Sequence, residues 1–181
     1  ELLAGNQIHA VFDSTNGELR GGTNNGMSLY NCTNQTVINE WDVQGGRIYF
    51  RGIDIASIAD DSNGTLWIGP SNRWLITYHP EERTIRYFDK DPIPGVSFPT
   101  PNVEKVFIDS FGKVWISFLT ADIRNVFIDS FENLAGLGRL DPETGSFTLF
   151  KHDPESQPDF WDFVSDITET QDSTLWVTSF P

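Results

Sequence analysis

The three histidines, His9, His79 and His152, stand far apart, and none falls in the His-x-x-x-His spacing that would mark a zinc site. No Gly-x-Ser-x-Gly elbow offers a serine nucleophile. Cys32 is the single cysteine, which excludes an intrachain disulfide and a cysteine metal cluster. Carboxylates are plentiful, with Asp159, Asp162, Asp166 and Glu169 crowded together. A glycosidase needs two of them held roughly 5–10 Å apart, a separation that spacing along a chain does not supply. The turns at Asp13/Asn16/Gly17, Asp61/Asn63/Gly64 and Asp109/Gly112 invite a calcium reading, but none has the full alternation of an EF-hand loop. They read as hairpin turns, and no metal or other cofactor is expected. The triplets at Asn31, Asn34 and Asn63 match the glycosylation pattern, a common chance match, and receive no function.

Residues suited to recognition stand out more than residues suited to bond making. Trp41, Tyr49, Arg51, Arg73, Trp74, Phe98, Asp159, Phe160 and Trp161 all fall in connections between apolar stretches, as do Asn24 and Asn25. Aromatic faces beside guanidinium and amide donors can stack on sugar rings and bond their hydroxyls. The competing reading is that the aromatics only cap a core. The ligand-binding set taken forward is Trp41, Tyr49, Arg51, Arg73, Trp74, Asp159, Phe160 and Trp161, with no catalytic residue.

The elements that must position these groups come from a repeat. Four segments align: FDSTNGELRGGT from Phe12, ADDSNGTLWIGP from Ala59, IDSFGKVWISFL from Ile108 and ETQDSTLWVTSF from Glu169. Each is a polar turn followed by a short apolar run. Arg20, Trp67, Trp115 and Trp176 are equivalent, at spacings of 47, 48 and 61 residues. The long last interval predicts an insertion near residues 118–136, where the string VFIDSF at Val106–Phe111 recurs at Val126–Phe131. A strand-like stretch precedes each turn, and two more follow each apolar run, at Met27–Tyr30 and Thr36–Trp41, Trp74–Tyr78 and Thr84–Phe88, and Leu137–Leu140 and Ser146–Phe150. No helical period is sustained. Four short strands in about 47 residues is the unit of a β-propeller blade. The fold expected is all-β, a single partial propeller over residues 1–181 of about three and a half four-stranded blades, with units at 8–41, 54–89, 103–150 and an incomplete 163–181. Packed between sheets, Trp67, Trp115 and Trp176 are all expected in the core.

The string Asp61-Ser62-Asn63-Gly64-Thr65-Leu66-Trp67-Ile68-Gly69 resembles the two-component regulator propeller repeat. So do Tyr78-His79-Pro80 with the strand at Thr84–Phe88, and Leu140-Asp141-Pro142-Glu143-Thr144-Gly145-Ser146-Phe147. Arg20 in place of the tryptophan, and Pro70 with Arg73-Trp74 in the second unit, depart from that pattern. The resemblance implies a non-catalytic, periplasmic or extracellular sensor region of hybrid two-component histidine kinases, which in gut bacteria sense glycan breakdown products. Any kinase activity would lie outside these residues. The alternatives are a lyase or glycoside-active enzyme on the same scaffold, or a structural protein-interaction propeller.

Charge narrows the partners. Asp plus Glu exceed Lys plus Arg by 26 to 12, for a net charge of −14. Such a surface repels phosphate backbones and anionic membranes, and no apolar run approaches the roughly 18 residues that span a bilayer. The expected partners are a small molecule, on the resemblance an oligosaccharide, and not nucleic acid or the membrane interior. Three and a half blades leave apolar faces open. The strand count argues against two copies completing one ring, so the remainder of a longer propeller is expected to cover them, with a homo-oligomer through the unfinished sheet as the alternative.

Overall fold

The computed structural model describes residues 3–14, 18–39, 50–71, 73–89, 93–99, 102–118, 136–150 and 164–179. Fourteen strands are found there. Blade 1 is β1 (Ile8–Ser14), β2 (Glu18–Thr23), β3 (Gly26–Asn31) and β4 (Thr36–Asn39). Blade 2 is β5 (Ile55–Asp60), β6 (Leu66–Pro70), β7 (Ile76–His79) and β8 (Thr84–Tyr87). Blade 3 is β9 (Val103–Ile108), β10 (Val114–Phe118), β11 (Gly136–Asp141) and β12 (Ser146–Phe150). The fourth sheet has two described strands, β13 (Val164–Glu169) and β14 (Leu175–Ser179). Each sheet is an antiparallel meander in sequence order, and β1, β5, β9 and β13 neighbour one another as the innermost strands. The expected insertion at 118–136 falls almost wholly outside the described residues.

The polar turns form because one aspartate satisfies three donors. Asp61 Oδ1 accepts the backbone N–H of Asn63 and Thr65 at 2.9 and 3.0 Å, and its Oδ2 accepts the Trp67 indole N–H at 3.0 Å. Asp109 repeats this with Phe111, Lys113 and the Trp115 indole at 2.9, 2.9 and 2.8 Å. Gly64 and Gly112 sit at φ +79° and +73°, a conformation that a side chain resists. In the fourth sheet Thr170 stands at the aspartate position and Ser173, at φ +60°, at the glycine position. A hydroxyl there cannot both close the turn and reach the tryptophan.

Blades pack face to face through two cores. Met27, Phe50, Ile55, Leu66, Ile68 and Tyr78 fill the space between blades 1 and 2. Trp67, Phe88, Val103, Val106, Ile116 and Phe118 fill that between blades 2 and 3. Every inner strand carries a bulge near its start, at His9, Ala56, Glu104 and Ser165. The extra residue turns positions three apart, such as Val103 and Val106, onto one face. Opposite them the residue two beyond the tryptophan is small. A Cβ on Gly69 would meet Val103 at 2.7 Å, and one on Gly22 would meet Ile55 at the same distance. Ser117 fills this place in blade 3 and donates to the Val164 carbonyl at 2.6 Å. Pairing between β6 and β7 stops at Ile68↔Ile76, short of Pro70, whose nitrogen has no hydrogen for the ladder.

One expectation fails here. Trp67 is buried and Trp115 half-buried, but Trp176 is 63% exposed. It faces away from blade 3, and among the described residues no further sheet lies against that face.

Candidate functional site

Antiparallel four-strand blades put two kinds of connection at one end: second to third strand, and fourth strand to the next inner strand. In blade 1 this end is knitted by amides. Asn25 Nδ2 donates to the Ala4 carbonyl at 2.9 Å, and its Oδ1 accepts the Gly52 N–H at 3.0 Å. Asn24 bonds Asn6 and the Gln7 backbone. Both asparagines, read in the sequence as ligand donors, instead tie the amino-terminal segment and the turn at Phe50–Ile53 to the β2–β3 connection. Arg51 projects from that anchored turn and is exposed.

In blade 2 the same end carries exposed Arg73 and half-buried Trp74. The Trp74 ring stacks on Phe98 with centroids 6.4 Å apart and planes at 28°. Phe98 comes from the connection into blade 3 and is held by Phe88, Phe118 and Phe147 at 5.9, 5.5 and 5.2 Å. Trp74, Phe88 and Phe98, with Asp89, Val96 and Ser97, border a cleft of about 240 Å³. Phe98 therefore serves the core, while Trp74 has one ring face committed and remains partly open. Trp41, Tyr49, Asp159, Phe160 and Trp161 lie outside the described residues.

A second cleft, of about 460 Å³, lies between the outer strands of blades 2 and 3. Its walls include Trp67, Thr77, Arg86, Phe88 and Glu143. The Arg86 guanidinium stands 5.0 Å over the Phe88 ring. Neither cleft sets a histidine, cysteine or lysine against a carboxylate. Asp61, the acid on the calcium reading, has both oxygens occupied by the turn and the indole, and no metal-binding cluster is found among the described residues.

Along the inner strands lie two side-chain pairs that the sequence reading missed. His9 Nδ1 is 2.9 Å from Asp54 Oδ1, and Lys105 Nζ is 2.6 Å from Asp166 Oδ1. The Lys105 ammonium holds the Asp166 carboxyl below the ordinary carboxylate range, against the opposing effect of burial. For the second pair a signal was available: Ser57, Lys105 and Asp166 repeat the spacings of 48 and 61 residues. Ser57 makes the corresponding link, accepting the Val106 N–H at 3.0 Å. His79 accepts the Glu82 N–H at Nδ1 and meets the Asn63 carbonyl through Nε2 at 3.1 Å, so it joins two turns.

No protein-family model and no curated protein matches the chain. Solved structures do. An extracellular domain assigned to the hybrid two-component system BT4673 of B. thetaiotaomicron superposes with a TM-score of 0.67 at 20% identity, over 95% of this chain and 20% of that one. The extracellular domain assigned to BT3049 of the same organism gives 0.64 at 18%, over 96% and 22%. A protein assigned as a gluconolactonase gives 0.66 at 11%, over 97% and 56%. The chain has the β-propeller fold. It comprises about three and a half blades among the described residues and spans about a fifth of the length of the two-component extracellular domains it matches.

Proposed function

We propose that this propeller is a non-catalytic, ligand-sensing section of a periplasmic or extracellular two-component sensor. Its ligand is a small neutral molecule of oligosaccharide character, taken at the end that bears Arg51, Arg73 and Trp74. Trp41, Tyr49, Asp159, Phe160 and Trp161, on connections of the same kind, belong to this proposed set. The carrying observation is the half-buried Trp74 ring, stacked on one face by Phe98 and bordering a cleft, with exposed Arg73 preceding it in the chain. A ring fixed on one side and open on the other is a low-entropy platform for a sugar face, and a guanidinium supplies the hydroxyl donors. The likeness to extracellular domains of two-component systems supports the sensor role and the location. A panel of neutral oligosaccharides should raise the melting temperature for at least one member, by roughly 2–4 °C per kcal/mol of binding linkage. Arg73→Ala and Trp161→Ala should each abolish that rise; an undiminished rise in both variants refutes the site.

The gluconolactonase likeness favours a second reading, hydrolysis of a sugar lactone on the same scaffold. Turnover of a lactone by the purified chain would establish it in place of the first.

A further inference from the structure

Blades 2 and 3 carry the same outer motif with two residues exchanged. In blade 3 Trp115 lies opposite Arg139, and Arg139 opposite Thr148. In blade 2 Trp67 lies opposite Thr77, and Thr77 opposite Arg86. Two residues further along the outer strand each blade has a phenylalanine, Phe150 or Phe88. The exchange decides what covers the tryptophan. In blade 3 the Arg139 guanidinium stands 5.8 Å from the ring centroids of both Trp115 and Phe150, which stack 5.7 Å apart. In blade 2 the guanidinium is one strand further out, 5.0 Å over Phe88, and a threonine stands opposite Trp67. The shorter side chain leaves room there, and the cleft of about 460 Å³ opens at this place. The 142–145 turn between β11 and β12 walls it from blade 3, and Ile93 with Pro94 walls a third side. That corner is tight, since a Cβ on Gly145 would meet Ile93 at 3.1 Å.

The volume falls within the roughly 300–1,000 Å³ of small-ligand clefts. The Thr65 and Thr77 hydroxyls and the Glu143 carboxylate make no hydrogen bond among the described residues. An anion entering here would face Asp61 and Glu143, and a cation would face Arg86. A neutral molecule with several hydroxyls, each able to donate and accept, suits both kinds of wall. We infer that this cleft binds a small neutral sugar, with Thr65, Thr77 and Glu143 exchanging hydrogen bonds with its hydroxyls. The cleft shares Phe88 and Ile93 with the one beside Trp74 but needs neither Trp74 nor Arg73. Nothing in this inference depends on the sensor reading.

Proton–nitrogen NMR of the indole N–H groups tests it, with D-glucose, D-galactose and D-mannose titrated separately into the millimolar range. At least one sugar should shift the Trp67 resonance in a saturable way and leave that of Trp115 in place. Thr77→Arg with Arg86→Thr gives blade 2 the arrangement of blade 3 at unchanged charge, and should abolish the shift. Glu143→Ala, at an exposed turn position, should weaken binding by about tenfold. Arg73→Ala should leave it unchanged. If no sugar moves Trp67, if Trp115 moves equally, or if the shift survives both the exchange and Glu143→Ala, the inference is overturned. A shift at Trp74 without one at Trp67 also overturns it, while supporting the site at the other cleft.

Discussion

Trp67 lies opposite Ala59 on its inner strand, and Trp176 lies opposite Thr168 on its own, at the same place in the repeat. Trp67 is 5% exposed, gives its indole N–H to Asp61 and packs against blade 3. Trp176 is 63% exposed, follows a turn whose key residue is Thr170, and has no described sheet beyond it. Local sequence builds the hairpin in both cases. Burial is conferred by the neighbour. A tryptophan in such a repeat is therefore a core residue only when the next blade is present to make it one.

The largest expected contrast is between these two side chains. Trp67→Ala should cost about 3–5 kcal/mol in urea unfolding, because it opens a cavity between blades. Trp176→Ala should stay within about 0.5 kcal/mol under dilute conditions. Equal losses would break the comparison. A smaller contrast separates the turns. Asp109→Ala removes the acceptor of two backbone N–H groups and the Trp115 indole, and should cost about 1–3 kcal/mol. Thr170→Ala removes a hydroxyl that bonds Asp172 and the Thr174 carbonyl, and should cost less in the same assay.

The smallest effect is on acid. Lys105 lowers the Asp166 carboxyl, Lys113 lowers Asp141, and Thr170 lowers Asp172. Their contribution is full above the unfolded aspartate value near 3.9 and is lost as pH falls through their lower folded values. Asp60 has the opposite sign, since burial raises its carboxyl and protonation relieves that cost. The exposed Asp166 is worth less than about 1 kcal/mol. Because Lys105 and Asp166 join the inner strands of blade 3 and the fourth sheet, amides of 164–179 should lose hydrogen-exchange protection below pH 4 before those of 55–70 do. Lys105→Met should remove that difference.

The strands and the three-sheet-and-a-half organisation were legible because turn chemistry and β-rich runs recur at nearly fixed spacing. The Trp67 core was legible for the same reason. Exposure of Trp176 was not, because a repeat specifies a face without specifying what lies against it. The roles of Asn24 and Asn25 were also hidden. Amides suit ligands and loop closure equally, and only the fold brings Ala4 and Gly52 to Asn25. Arg20 shows a third limit. It takes the tryptophan place in blade 1 and is buried with Glu18 at 3.5 Å, so a position read as hydrophobic also accepts a cation whose stem fills the space.

The small residue at Gly22, Gly69 and Ser117 has an architectural consequence. Since each interface asks the same clearance of its neighbour, copying one whole unit within the gene would set down a module that already fits on both sides. Propellers of this type can accordingly change circumference in whole-unit steps without any existing interface having to be reinvented.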